Sequence, residues 1–283
     1  MPSLSACMIV KNEEQYLRQC WDALKNHCDE LVIGDTGSTD GTKQIIADMI
    51  AEDAPCRVVA YDYEWQDDFS TARNFGMDKA TGDWLFIVDG DEVPIDDDLE
   101  RLKKFLPKVI EDVIAVDVVG ACQMKMGETT RWELGARAIQ LRFFRRSMGM
   151  IWEGKVHNRP VYKTDKPTFR DPLRIIHFGY DREVVEKQDK LDRVISMCRQ
   201  RTIDEPRDPA AWFNLANALK SDGERFNVDN AVEMHEYLNR AITLSSGSLG
   251  EPGEDEKGAD YYDKVYEPGY DTSRYAPMYE QVK

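Results

Sequence analysis

The stretch "WLFIVDGDEVPID", residues 84–96, begins apolar and turns acidic without transition. Trp84 to Val88 is an unbroken apolar run of strand length. It stops at Asp89-Gly90-Asp91-Glu92, three carboxylates around one glycine. Two carboxylates two positions apart, just past a buried strand, can converge on one hard cation of the Mg²⁺ or Mn²⁺ type. Gly90 lets the backbone leave the strand sharply and lets a ligand come close.

Upstream, strand and helix patterns alternate. "LSACMIV" (4–10) reads as a first strand, and "NEEQYLRQCWDAL" (12–24) as a helix capped by Asn12. "ELVIGD" (30–35) is a second strand, followed by the turn cluster "TGSTDGT" (36–42) and a helix over 43–52. "CRVVAYDY" (56–63) is a third strand, a helix follows over 69–80, and the strand 83–89 closes the series. Four such alternations with short connections predict a parallel, doubly wound α/β sheet. Ligands of these sheets sit beyond the C-terminal strand ends. Those ends are Lys11-Asn12-Glu13, Asp35 to Thr42, Asp62 to Asp68 and Asp89-Gly90-Asp91.

Composition bounds the function. The chain has 283 residues, 42% of them apolar, enough for one large domain and an appendage. No apolar run approaches the roughly 20 residues of a membrane span. The apolar start lacks a basic segment before it and reads as a strand, not a signal peptide. Six cysteines (7, 20, 28, 56, 122 and 198) have no CxxC spacing and read as reduced core residues of a cytoplasmic protein. The net charge of −16 argues against nucleic-acid backbones as the main partner. An acidic chain that binds phosphates calls for a metal ion or a few placed arginines.

Five segments in order, "SACMIVKNEEQYLRQCWDAL", "DELVIGDTGSTDGT", "DDFSTARNFGMDKATGDWLFIVDGDE", "LRFFRR" and "WEGKVHN", resemble family 2 glycosyltransferases. The resemblance covers roughly residues 3–180. It implies the GT-A fold, a Rossmann-like, mostly parallel sheet flanked by helices. It also implies a nucleotide-diphospho-sugar donor, UDP-linked, with Mn²⁺ or Mg²⁺ as cofactor and transfer of a hexose-like sugar with inversion. By position, Val10, Asn12 and Glu13 line the nucleoside, and Asp35 and Thr36 contact base or ribose. Arg73 and Asn74, in "ARN", reach the nucleobase side, with pairing of the arginine to Asp67 or Asp68 as the plainer alternative. Asp89, Gly90 and Asp91 flank metal and diphosphate. A late histidine completes the metal site in this fold; His177 is placed ahead of His157.

An inverting transfer needs a carboxylate to take the acceptor's proton. Related sequences usually read V-H-E where this chain has Val156-His157-Asn158. Glu153 and Asp91 are the candidates carried forward; Glu92 and Glu133 are the others. Arg142, Arg145 and Arg146, on a strand expected from Ala138 to Phe144, are candidates for phosphate or acceptor, or plain surface arginines.

Three regions are expected: the transferase domain (1–180), a helical, tetratricopeptide-like extension (181–250), and an acidic, tyrosine-rich arm (251–283). Helical spacing runs over 181–205 and a helix–loop–helix over 210–244. One such unit cannot stack into a solenoid. The arm's six tyrosines suggest docking on its own domain or in a homodimer. The acceptor stays open among glycan, protein and small molecule, with DNA disfavoured by charge. The competing class is a non-catalytic binding protein that keeps the pocket and has lost turnover, a reading favoured by Asn158. A nucleotidyltransferase ranks lower, because no basic glycine-rich first loop is present.

Overall fold

The computed structural model describes residues 1–126, 129–179, 190–221 and 228–245. The chain divides into two compact units, Met1–Lys187 and Gln188–Lys283.

The first unit opens with β1 (Leu4–Val10), α1 (Leu17–Leu24), β2 (Glu30–Asp35), α2 (Thr42–Ala51), β3 (Arg57–Asp62), α3 (Phe69–Met77) and β4 (Trp84–Ile87). The four strands pair in parallel, as expected, in the order β3-β2-β1-β4. Strands β1, β2 and β4 read as continuous apolar runs because both sheet faces are covered. Leu4, Ala6, Met8, Trp84 and Phe86 face α1 through Leu17, Cys20, Trp21 and Leu24. Cys7, Leu85 and Ile87 point the other way, toward Met77 of α3. Strand order reverses between β1 and β4, so their C-terminal ends open the crevice in which such sheets hold ligands.

Two helices are shorter than their patterns predict. Helix α1 starts at Leu17, and Asn12 is not its cap: its φ is 58° and its side chain accepts the Thr39 N–H at 2.8 Å. Glu14 likewise accepts the Gly41 N–H. These side chains are taken by the loop after β2, so the chain turns once before the helix begins. Helix α3 stops at Met77, and Asp68 caps its start by accepting the Ser70 and Thr71 N–H groups.

Past β4 the sheet becomes mixed. The next elements are β5 (Glu92–Pro94), α4 (Asp96–Phe105), β6 (Val113–Met126), β7 (Thr129–Arg145), β8 (Ile151–Glu153), β9 (Arg159–Val161) and β10 (Phe169–His177). The sheet continues β4-β7-β6-β10-β5, and β8 pairs only with β9. Strand β7 runs antiparallel to β4 and β6, β10 runs parallel to β6, and β5 runs antiparallel to β10. Four strand steps across a flat sheet would be about 19 Å. The chain from Ile87 to Glu92 reaches at most about 18 Å when fully extended, and it contains a turn. The far half of the sheet must therefore curl back, which carries β10 and β5 to the acidic end of β4.

In the second unit the described helices are α5 (Lys190–Asp204), α6 (Pro209–Ser221) and α7 (Val228–Ser245). Ala216, Met234 and Leu238 form a buried cluster with Phe213 and Tyr237 packed on it. The start of the expected 181–205 helix, the loop 222–227 and the whole tyrosine-rich arm lie outside the described residues. All six cysteines are free thiols, five of them buried. Among the described residues no helix is long and apolar enough to cross a membrane.

Candidate active site

The ends of β1 and β2 are knitted into one wall. Thr36 donates both its N–H (2.9 Å) and its hydroxyl (3.1 Å) to the Val10 carbonyl. The Glu13 N–H donates to the Thr42 hydroxyl at 2.7 Å, and the Asn12 N–H to the Ser38 hydroxyl at 3.0 Å. Asp35, buried, accepts the Gly37 and Ser38 N–H groups on Oδ1 at 2.9 Å each, while its Oδ2 has no hydrogen-bond partner. Burial opposes the anion, but the bonds from Ser38 and Gly37 outweigh it and hold the Asp35 carboxyl below its ordinary range.

Beyond β4, Asp89 lies between two guanidiniums. Arg73 of α3 donates to Oδ1 at 2.7 Å, and Arg142 of β7 stands 3.9 Å from Oδ2. Arg73 therefore pairs with neither Asp67 nor Asp68, the plainer alternative. Burial would raise the Asp89 carboxyl; Arg73, then Arg142, hold it far below the usual range. The Nε of each arginine is buried without an acceptor. Glu92 is 1% exposed, bonds to Arg142 through Oε1 and accepts the Asp89 N–H on Oε2 at 3.0 Å. Burial pushes its carboxyl up to about 7, against the pull of Arg142. A group so enclosed cannot meet an acceptor, so Glu92 leaves the set of candidate bases.

Asp91, 5% exposed, turns the other way. Strand β10 pairs with β5 so that His177 is the partner of Glu92, and the His177 Nε2 lies 3.4 Å from the Asp91 Oδ2. The Phe178 N–H also donates to the Asp91 carbonyl at 2.9 Å. Burial works against the imidazolium, but the bond to Asp91 outweighs it and raises the His177 pKa. One glycine lies against each side of the turn, Gly90 against the end of β1 and Gly179 against the Asp91–His177 pair. A Cβ on Gly90 would lie 2.9 Å from Val10 Cγ1, and one on Gly179 would lie 2.5 Å from both Asp91 Oδ2 and His177 Nε2.

This donor set fits Mg²⁺ or Mn²⁺. A carboxylate and an imidazole meet beside Gly179, and such ions are held by one or two protein ligands plus substrate phosphates. Among the described residues no group of three or more His, Cys, Asp or Glu side chains could hold a metal by itself. Asp89, grouped with Asp91 by spacing and by resemblance, faces Arg73 and Arg142. His157 stands on the β8–β9 turn, exposed, with φ at 50°.

Glu153 ends β8, exposed and 3.7 Å from Arg159. Its strand is fastened to α3 by Asn74, which the resemblance puts with Arg73 on the nucleobase side. The Asn74 side chain donates to the Trp152 carbonyl at 2.9 Å and accepts the Trp152 N–H at 2.7 Å. The Trp152 ring in turn lies under the Arg73 guanidinium, 5.3 Å from its centroid. Asparagine beside arginine in "ARN" was the available signal. Asn158, half-buried, has an Nδ2 without a hydrogen-bond partner.

Two expected phosphate or acceptor contacts are corrected. Strand β7 runs against β4, with Arg145 opposite Trp84, so Arg145 and Arg146 lie at the sheet edge remote from Asp89. Arg145 stacks on Trp84 at 4.5 Å, and Arg146 donates to the Gly82 carbonyl at 2.8 Å. Only Arg142 reaches the acidic end, and there it is committed to Glu92.

A family model described as "Glycosyl transferase family 2" matches residues 5–164. A "TPR repeat-containing protein" of Synechococcus elongatus is 28% identical over 230 residues, covering 79% of this chain and 54% of that protein. The "SPbeta prophage-derived glycosyltransferase SunS" of Bacillus subtilis is 26% identical over 247 residues, covering 85% and 53%. The chain thus spans about half the length of these curated relatives. Among solved structures, TarS 1-349 of S. aureus in complex with UDP-GlcNAc is similar at a TM-score of 0.47 and 14% identity, covering 86% of this chain and 81% of that one.

Proposed function

Because this chain belongs to glycosyl transferase family 2, we propose that it is a metal-dependent glycosyltransferase. It moves a hexose-like sugar from a nucleoside-diphosphate donor, UDP-linked by family resemblance, to a glycan, protein or small-molecule acceptor. The observation that carries this reading is the 3.4 Å approach of Asp91 and His177 at the β1/β4 crevice, beside which only a residue without a Cβ, Gly179, fits.

Bound Mn²⁺ or Mg²⁺ would neutralise charge on the departing diphosphate. Asp91 and His177 would hold it. Val10, Asn12, Glu13, Asp35 and Thr36 form the wall for the nucleoside, and the unpartnered Asp35 Oδ2 is an acceptor that this wall leaves unused. Arg73 fixes Asp89 and shapes the floor beside the donor. The acceptor oxygen attacks the anomeric carbon as the bond to the diphosphate breaks, and Glu153, exposed on β8, takes the acceptor's proton. Attack opposite the leaving group inverts the anomeric centre.

Calorimetric titration of UDP, then GDP, with Mn²⁺ and with EDTA, tests the donor site. Binding of one nucleotide only with metal, lost in Asp91→Ala, supports the reading; no binding of either under both conditions removes it. A second reading, a binding protein without turnover, is favoured by Asn158 at the V-H-E position. It predicts metal-dependent nucleotide binding with no hydrolysis or transfer of the donor sugar.

A further inference from the structure

We infer that Glu92 and Arg142 are positioning residues that set the geometry of Asp91 from beneath the site. The inference deepens the donor-site reading and rests on it for the ligand, though not for the geometry.

Between them the two side chains hold the Asp89–Glu92 turn at several points. Glu92 Oε2 accepts the Asp89 N–H, and the Glu92 N–H donates to the Asp89 carbonyl at 3.1 Å, closing the turn from both ends. Arg142 bonds Glu92 Oε1 and donates to the Ile87 carbonyl at 3.3 Å, tying the turn to the last residue of β4. The turn is also pinned from β10, through Phe178 to the Asp91 carbonyl and through the His177–Glu92 strand pair. Asp91 sits within this frame and contributes the carboxylate that meets His177.

Burial explains why the pair can act in this way. Glu92 and Arg142 are 1% and 6% exposed, so neither charge is available to solvent or substrate. Buried ion pairs are weak sources of net stability, and removing both partners together is often tolerated. What is lost is direction: without an acceptor at position 92, the Asp89 N–H must find another partner, and the turn is no longer obliged to present Asp91 toward β10. Arg142 also stands 3.9 Å from Asp89 Oδ2, so one guanidinium faces the carboxylates at both ends of the turn.

The test uses Glu92→Leu/Arg142→Met, which removes both buried charges together, beside Glu92→Gln, which retains a carbonyl acceptor. Three readouts are taken: thermal melting, Mn²⁺ affinity by electron paramagnetic resonance with and without UDP, and amide exchange over residues 84–95. The double variant is expected to melt cooperatively, to bind Mn²⁺ about 10–100-fold more weakly, as outer-shell partners commonly cost, and to exchange faster at 88–92. Glu92→Gln is expected to retain more of the affinity than the double variant. A double variant that folds and matches wild type in both affinity and exchange overturns the inference. Wild type that binds no Mn²⁺ with UDP defeats the donor-site reading instead. The exchange data then decide alone: faster exchange in the folded variant upholds the positioning role, and unchanged exchange overturns it. If the double variant does not fold, Glu92→Gln carries the same comparison, with Mn²⁺ affinity and exchange both equal to wild type as the overturning result.

Discussion

The His177 Nε2 lies 3.4 Å from the Asp91 Oδ2, although the two residues lie 86 positions apart in the sequence. Gly179 makes the meeting possible, since any Cβ there would fall 2.5 Å from both atoms. Gly179→Ala is therefore expected to force the pair apart. Mn²⁺ affinity in the presence of UDP should fall by about tenfold or more, as for other changes that displace a ligand's orientation. Circular dichroism should show an unchanged fold. Affinity equal to wild type would mean that Asp91 and His177 do not act together on the ion.

Arg73 and Asp89 make a half-buried ion pair, with side chains 15% and 32% exposed. Arg73 is the principal group that keeps the Asp89 carboxyl low against the cost of burial. Arg73→Met removes that cation, so the Asp89 pKa must rise. Asp89 would then protonate at a higher pH than it does in wild type. The acid limb of the kcat/KM profile for sugar transfer is expected to move to higher pH in the variant. A superimposable acid limb would show that Asp89 ionisation does not matter to turnover.

Asn74 makes a two-way hydrogen-bond clasp on the backbone of Trp152. Asn74→Ala leaves a backbone N–H and a carbonyl of β8 without these partners, at a cost of about 2 kcal/mol. If Glu153 is the base, loosening β8 should lower kcat more than it raises KM for the donor. Comparison with Glu153→Gln, which should abolish transfer and spare nucleotide binding, separates the two effects.

Glu30 anchors the opposite edge of the sheet. It is 3% exposed and accepts from the Ser5 hydroxyl (2.6 Å), the Thr81 N–H (2.8 Å) and the Thr81 hydroxyl (3.2 Å), with Arg57 alongside. Burial opposes its charge, but these bonds outweigh burial and lower its pKa. A depressed carboxyl contributes its full stability above the unfolded value of about 4.3 and loses it as pH falls through the folded value. Glu30→Gln should thus cost about 2 kcal/mol near neutrality, as for hydrogen bonds to a charged group. The gap to wild type should narrow in denaturant melts taken at progressively lower pH, below about 4. A gap that stays constant on acidification would remove Glu30 from the acid response.

The legible part of the fold was the part built from consecutive elements. The parallel order of β1 to β4 follows from alternating patterns joined by short loops, and each strand end carries its own polar residues. Local reading failed where a side chain was spent on a distant loop. Asn12 is a sound helix cap by residue type, but Thr39 takes its carbonyl oxygen. Arg142, Arg145 and Arg146 look equivalent in "LRFFRR", yet the antiparallel course of β7 along β4 puts one at the acidic end and two at the other.

The sequence by itself determined the α/β class, the acidic crevice edge, and Asp91 and His177 as residues to watch, because these depend on residue type and local period. The tertiary structure alone decided which partners each carboxylate meets. Asp89 and Asp91 are neighbours of the same chemistry, two residues apart. The curl of the sheet brings β10 to one of them, and α3 and β7 bring arginines to the other. That division depends on strands paired across long sequence separations, and no local pattern records such pairings.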